Sequence, residues 1–258
     1  PGVVPSESIV SPSAKLAVIA ELRGILASAL ASDRLELCLQ PVVELPQRKV
    51  RGYEATLRLR GESGDLHSET DLRRIASTTG LEADLDRVLV ERALHVLRVL
   101  RGRKRMVSIS CAVTVVGLLS PTLPAALETA LRSDPELVRA LILEFSDAEF
   151  HSLTPGARLG LRALADRGVG LSLGRLPHLK LDIDSITATG IRQIKVSAGA
   201  LLGGGQGNGL IADIHPADMA EFLRRRGIEL QISDVASEQT VIDSLEYAPP
   251  LASGPLFG

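Results

Sequence analysis

The chain has 258 residues, 45% of them hydrophobic, and a formal net charge of −2, enough for one large barrel or two smaller domains but with no footprint for a nucleic-acid polymer. Aromatic residues make up only 2%, without a Trp, which argues against stacking platforms for single strands. No apolar run is long enough to span a bilayer, no secretory signal is present, and two cysteines are too few for a disulfide framework, so the expectation is a cytoplasmic domain without membrane contact.

Residues 1–13 are rich in Pro and Ser and read as a linker. The chain opens on Pro1 without a Met and reads as a fragment, with any upstream anchor outside it. Leu16, Ile19, Leu22, Leu26 and Leu30 follow helical spacing. "LELCL", 35–39, alternates as a strand and runs into Gln40-Pro41, and the next strand covers 50–59. A helix over 82–101 stops at Gly102. "RMVSISC" alternates again, and "ALILEF" is apolar enough for a strand buried on both faces. Thr154-Pro155 offers an N-cap followed by Pro at the first helical position, and Gly168 ends that helix. "VGLSL" and "IRQIKV" are strands. "HPADMAEFLRRRG" repeats the device of Pro at the start and Gly at the end. "IELQIS", a helix from about Ser237 to Glu246, and "LASGPLFG" complete the chain. About eight strands with helices between most of them predict a (β/α)8 barrel over 14–258, with a doubly wound open sheet as the alternative. No G-x-G-x-x-G follows the first strand, and "GGGQGNG", 203–209, lacks the Lys-Ser/Thr of a P-loop and reads as a mobile loop.

In a barrel, chemistry sits at the C-terminal ends of the strands. "GYEATLRLRG" sends Tyr53, Ala55, Leu57 and Leu59 to one face and Glu54, Thr56, Arg58 and Arg60 to the other. A carboxylate and a guanidinium on one strand face offer an oxygen ligand for a hard cation and a fork for a phosphate. Other strand-end candidates are Ser108 and Ser110, Glu144 and Asp147, Gly174 and Arg175, Lys195 and Ser197, and Ser233 and Asp234. A lone Lys195 also suits a Schiff base, although solvated strand ends explain most of these residues one by one. The His residues never fall at ligand spacing. Arg101 to Arg105 reads as a solvated helix end, with a phosphate patch as the alternative.

In order and spacing, these segments resemble EAL domains, the barrel-fold cyclic di-GMP phosphodiesterases. "LELCLQPVVELPQRKVRGYEATLR" resembles the family's Q-P-I-V, short turn and G-F-E-A-L-L-R. "LILEFSD" resembles L-E-I-T-E, and "QIKVS" resembles L-K-I-D. "RRRGIELQISDVASEQ" resembles G-I-x-V-I-A-E-G-V-E-T-E-x-Q, and "SGPLFG" resembles Q-G-Y-L-F-G. "LPQRKVRGYEA" is further similar to the TipF-like branch, degenerate members linked to flagellar assembly. The resemblance implies an EAL-type barrel with one antiparallel edge strand. It makes Glu54 the counterpart of a metal ligand and Arg58 of a phosphate-binding Arg, with Gln40 near a base or ribose. It also implies pairing into a homodimer through the helices around 175–190, where Leu181, Ile183 and Ile186 offer a surface.

The family's hydrolysis uses two divalent cations held by carboxylates and one Asn. Carried over residue by residue, Glu54, Glu144 and Lys195 remain. The Asn is Ser108, the paired Asp are Gly174 and Arg175, and the Asp of K-I-D is Ser197. The acidic positions of A-E-G-V-E fall on Ser233 and Ala236, or on Asp234 with a one-residue shift, and the late Gln is Ser253. Hard divalent ions want about six oxygens, so the expectation is a lost two-metal site with no cofactor. Arg175 then neutralises a carboxylate, meets a phosphate, or points to solvent. The expected function is a catalytically inactive regulatory domain that binds cyclic di-GMP or organises protein partners. The ligand set is Gln40, Glu54, Arg58, Glu144, Arg175 and Lys195. An active metal-dependent phosphodiesterase and a nucleotide-free scaffold are the alternatives.

Overall fold

The computed structural model describes residues 12–32, 34–60, 66–176, 181–202 and 218–258. The strands among them are β1 (Leu35–Glu44), β2 (Lys49–Arg60), β3 (Leu66–His67), β4 (Ser108–Ala112), β5 (Leu141–Ser146), β6 (Gly170–Gly174), β7 (Gln193–Ser197), β8 (Glu229–Ser233) and β9 (Leu251–Ser253). All but β3 close into a ring, in the order β1-β9-β8-β7-β6-β5-β4-β2, with β2 pairing back onto β1; β3 extends β2 outside it. Every pair from β2 and β4 round to β9 is parallel, while β1 runs antiparallel to both its neighbours. The one antiparallel strand expected of the barrel is β1, and its pairing with β2 and β9 closes the ring.

The alternation of each strand decides what faces the lumen. Leu57, Ile109, Leu143, Leu171, Ile194 and Leu230 point outward and are buried beneath the helices. Each such burial stabilises by about 1.5–3 kcal/mol. The opposite set faces inward: Gly52 and Glu54, Ser108 and Ser110, Ile142 and Glu144, Gly170 and Ser172, Gln193 and Lys195, and Glu229 and Gln231, matched across neighbouring strands. A (β/α)8 lumen is ordinarily filled by layers of branched aliphatics; this one is built largely of small and polar residues. The "ALILEF" stretch is correspondingly two-faced, with Leu141, Leu143 and Phe145 under helices and Glu144 inside the ring.

Helix α1 (Pro12–Leu30) packs on α2 (Glu69–Thr79), which is followed by α3 (Glu82–Gly102). The chain-order reading has no counterpart for α2 or for the helices Thr122–Ser133 and Ile183–Thr189. In α2 and in Ile183–Thr189 the apolar positions are few and interrupted by charge or Thr, whereas Thr122–Ser133 buries Leu123, Leu127, Ala130 and Leu131 at helical spacing; Ser68 accepts from Asp71 N as the N-cap of α2. Arg73 of α2 and Asp86 of α3 form a buried ion pair. Arg73 also donates to the Ala112 carbonyl at the end of β4, and Asp86 accepts from Thr114 N at 2.8 Å and Thr114 Oγ1 at 2.6 Å. The pair fixes both helices to the C-terminal mouth of the barrel.

The strand predicted over 35–39 continues through Pro41 to Glu44, shifting register between Val42 and Val43, and β9 pairs with it only from Val42 onward. Ile183 and Ile186 are buried and Leu181 is packed against the core, so the surface expected of them for homodimer contact is used within the chain. The glycine-rich stretch 203–209, the Pro216 helix start and most of the 1–13 linker lie outside the described residues. The helix there spans Met219–Arg225. Among the described residues no helix is long and apolar enough to cross a membrane.

The C-terminal strand is locked by a close backbone approach. Gly254, at φ 146°, would carry a Cβ 2.3 Å from Val235 N and 2.5 Å from Val235 O, and Val235 N donates to Ser253 O at 3.1 Å. Gly254→Ala should therefore lower unfolding stability by more than about 2 kcal/mol in urea titration. A Cβ at Gly160, inside the helix Pro155–Asp166, meets nothing within 4 Å. Gly160→Ala should raise stability by about 0.5–1 kcal/mol. Equal effects at both positions would contradict this reading of the two backbones.

Candidate functional site

Lys195, from the middle of β7, places its ammonium between two carboxylates. Its Nζ lies 2.7 Å from Glu144 Oε2 and 3.3 Å from Glu54 Oε2. The other oxygen of Glu54 is also taken, accepting from Ser253 Oγ at 2.7 Å and Gln231 Nε2 at 2.5 Å. Gln231 is held in turn by Gln193, whose Nε2 donates to its Oε1 at 2.8 Å, and Gln231 Nε2 also reaches Ser253 Oγ at 2.9 Å. The result is a polar septum across the lumen, contributed by β2, β5, β7, β8 and β9.

The side chains of Lys195, Glu54 and Glu144 are 16%, 17% and 6% exposed, so each charge would be costly without its partners. Burial works against the charge of Lys195, but the two carboxylates override it and hold its pKa above the ordinary lysine value. Burial pushes the Glu144 carboxyl up, and Lys195 and then Arg175 pull against it. Gly174 gives Glu144 its place: a Cβ at 174 would lie 2.7 Å from Glu144 Oε1. The carboxylate occupies the room that a side chain on β6 would need.

On the C-terminal side of this cluster lies a cavity of about 330 Å³, lined by Glu54, Glu144, Arg175 and Lys195 together with Ser110, Ser197, Ser233 and Asp234. Four of the six expected ligand residues are thus brought together. Arg175, at φ 51°, is exposed on the lip and forms no ion pair with a described residue, so neutralising Glu144 and Glu54 falls to Lys195. Ser233 ends β8, and Asp234 leaves the strand at φ 59°, so both candidates for the acidic position reach the cavity.

Gln40 and Arg58 are not among the lining residues. Gln40 lies directly opposite Glu54 in the β1–β2 pair, and Arg58 lies opposite Glu36. Arg58 stands four residues beyond Glu54 on the same strand face, about 13 Å along β2. It is exposed, and the Glu36 carboxylate beside it is taken by Arg60. Ser108 faces the other end of the lumen, and Ser110 is the residue level with Glu54. Ser197 has become a helix cap, its Oγ accepting from Ala200 N at 3.1 Å. The sequence reading passed over Gln231 and Gln193. The signal for Gln231 was present in "ELQIS", where a lone amide alternates with Leu230 and Ile232. Among the described residues, no group of three or more His, Cys, Asp or Glu is arranged to hold a metal ion.

No curated protein sequence matches the chain. Among solved structures it is similar to the Xanthomonas citri FimX EAL domain in complex with cyclic di-GMP, with TM-score 0.78 and 19% identity over 95% of this chain and 94% of that one. It is similar to the PaMucR phosphodiesterase in its cyclic di-GMP complex, with TM-score 0.79 and 20% identity over 92% of this chain and 96% of that one. The S helix-GGDEF-EAL portion of Vibrio cholerae LapD, in its apo form, gives TM-score 0.75 and 11% identity over 99% of this chain and 59% of that one. Identities this low establish the shared fold. The family itself is established by sequence: residues 23–258 match the EAL domain, and the chain belongs to that family.

Proposed function

We propose that this EAL domain is a catalytically inactive regulatory module that takes cyclic di-GMP at its C-terminal mouth without a divalent metal. One observation carries the reading: few oxygen donors surround Glu54 and Glu144, and Lys195, which the pattern retains, compensates the two carboxylates at 3.3 and 2.7 Å. These are the two carboxylates that remain from the metal-binding pattern the sequence resembles. A two-metal site needs oxygen donors clustered around both ions. The side chains at Gly174, Arg175, Ser197 and Ser253 supply no carboxylate, Asp234 and Glu69 on the cavity lining are not grouped with Glu54 and Glu144 so as to hold a metal ion, and both oxygens of Glu54 are already bonded within the chain. This donor set suits one ammonium and does not fit a pair of divalent cations.

Cationic and amide groups remain for an anionic nucleotide. Arg175 at the lip and Arg58 farther along β2 are exposed, with no ion-pair partner among the described residues. In the proposed complex both guanidiniums meet phosphate oxygens, Lys195 supports the phosphate from below, and Gln40 approaches a base or ribose. The similar FimX and MucR structures, each a complex with cyclic di-GMP, support the ligand class. A nucleotide-free protein scaffold is the second reading, favoured by the position of Gln40 and Arg58 off the cavity lining. A place in flagellar assembly rests on "LPQRKVRGYEA" alone.

Incubation with cyclic di-GMP and Mg²⁺ or Mn²⁺ should yield no linear dinucleotide by chromatography; turnover that disappears in Glu54→Ala would overturn the proposal. Calorimetric titration should show binding unchanged by EDTA. A charge-assisted hydrogen bond contributes about 1.5–3 kcal/mol, so Arg58→Ala should weaken binding by about 10- to 150-fold. Binding that vanishes with EDTA would contradict the metal-free mode, and no heat at any accessible concentration would favour the scaffold. Lys195→Met leaves two carboxylates facing each other and should cost about 3–5 kcal/mol in urea unfolding. Most of that loss should be recovered when Glu54→Gln and Glu144→Gln are added, because the three groups act as one unit. Undiminished stability of Lys195→Met would mean that the bridge does not organise the lumen.

A further inference from the structure

We infer that the N-terminal mouth of the barrel is a second ligand site, built for a small phosphorylated sugar. A cavity of about 370 Å³ opens there, on the opposite side of the septum from the cavity described above. That volume is in the range of small-molecule sites. Ser108 and Ser110 stand on its lining at lumen positions where barrels ordinarily place branched aliphatics, and Ile142 lines it beside them.

The depth of this cavity is mixed, with Val42, Ile142 and Leu251 beside its polar groups. Ser108 and Ser110 line it with hydroxyls that make no hydrogen bond to a described residue, and Gln193 and Gln231, held in the septum, close its floor with amides. Ser172, paired in register with Gln193, has a buried Oγ without a protein partner. Hydroxyls and amides that both donate and accept suit a polyhydroxylated body. A lumen meant only for packing would leave no such groups open, since buried polar groups without partners are costly.

The rim is cationic. Arg51 and Arg139 line the mouth. Arg103, Lys104 and Arg105 lead directly into Met106, which also lines it, and a left-handed turn at Lys104 (φ 58°) presents them. These three are exposed and have no ion-pair partner among the described residues. Glu136, paired with Arg139, and Glu229, facing Arg51, are the acidic residues at the opening. A phosphate at the rim would be met by guanidiniums in bidentate geometry while the sugar occupies the hydroxyl-lined depth. The run Arg101 to Arg105 thereby acquires a use that a solvated helix end does not give it.

Calorimetric titrations with ribose 5-phosphate, with AMP and with unphosphorylated ribose test the site. Saturable binding of ribose 5-phosphate or AMP, at least tenfold tighter than ribose, is expected. A response to AMP alone would identify a nucleotide as the ligand, and a response to ribose 5-phosphate alone a free sugar phosphate. Arg51→Glu with Arg139→Glu should weaken the bound probe at least tenfold, and Ser108→Leu should block it by filling the depth. Arg58→Ala with Arg175→Ala should leave it unchanged, which separates this site from the proposed cyclic di-GMP site. No saturable heat from either phosphate at millimolar concentration, or binding indifferent to the Arg51 and Arg139 substitutions, would overturn the inference.

Discussion

A lysine ammonium held between two carboxylates inside a barrel is the constraint on which the remaining site geometry depends. Lys195 compensates Glu144 and Glu54 at the depth where an uncompensated carboxylate would be untenable. It thereby fixes the orientation of both glutamates. Gln231 and Ser253 then complete the coordination of Glu54, and Gln193 orients Gln231. Gly174 fits the same logic, since the Glu144 carboxylate fills the space that a β6 side chain would require. Gln231, Ser253 and Gly174 together close the lumen around the lysine and its two glutamates.

That arrangement divides the barrel into two chambers. The C-terminal chamber carries Arg175 on its lip and the two carboxylates on its floor, and the N-terminal chamber is lined by hydroxyls and amides. A lumen packed with Val, Ile and Leu would have no such division. The stability of the domain rests instead on the outward faces of the strands, where Leu141, Leu143, Leu173, Ile194 and Ile232 are fully covered by helices. Separating stability from the lumen leaves the lumen free to vary while the fold keeps its shape.

Much of this was legible in the sequence. The outward faces of most barrel strands alternate with small or polar residues at period two, and the helix ends at Thr154 and Gly168 are in plain view, while the helix expected to stop at Gly102 runs through it to a cap at Arg103. Glu54, Glu144 and Lys195 were legible as charged residues alternating with apolar ones within strands, and Arg175 as the residue that follows β6, and all four line one cavity. Other features were not legible. Helix α2 carries Glu69, Asp71, Arg73 and Arg74 with only Leu72 and Ala76 buried beneath them, too thin an apolar stripe to announce itself. The position of Arg58 away from the cavity depends on how far β2 runs beyond the ring. The role of Gln231 depends on a cross-lumen contact with Glu54, separated from it by 177 positions in the chain. Such contacts follow from barrel closure, which no local pattern encodes.

Under the proposed reading, too few oxygen donors surround Glu54 and Glu144 to hold a pair of cations, and Lys195 compensates them. Mn²⁺ binding to metal-stripped protein, followed by electron paramagnetic resonance, tests this directly. The account predicts that the signal of free aqueous Mn²⁺ persists undiminished at equimolar protein, and that protein with Glu54→Ala behaves identically. Loss of the free signal with a pair of Mn²⁺ ions held per chain, abolished by Glu54→Ala, would contradict it.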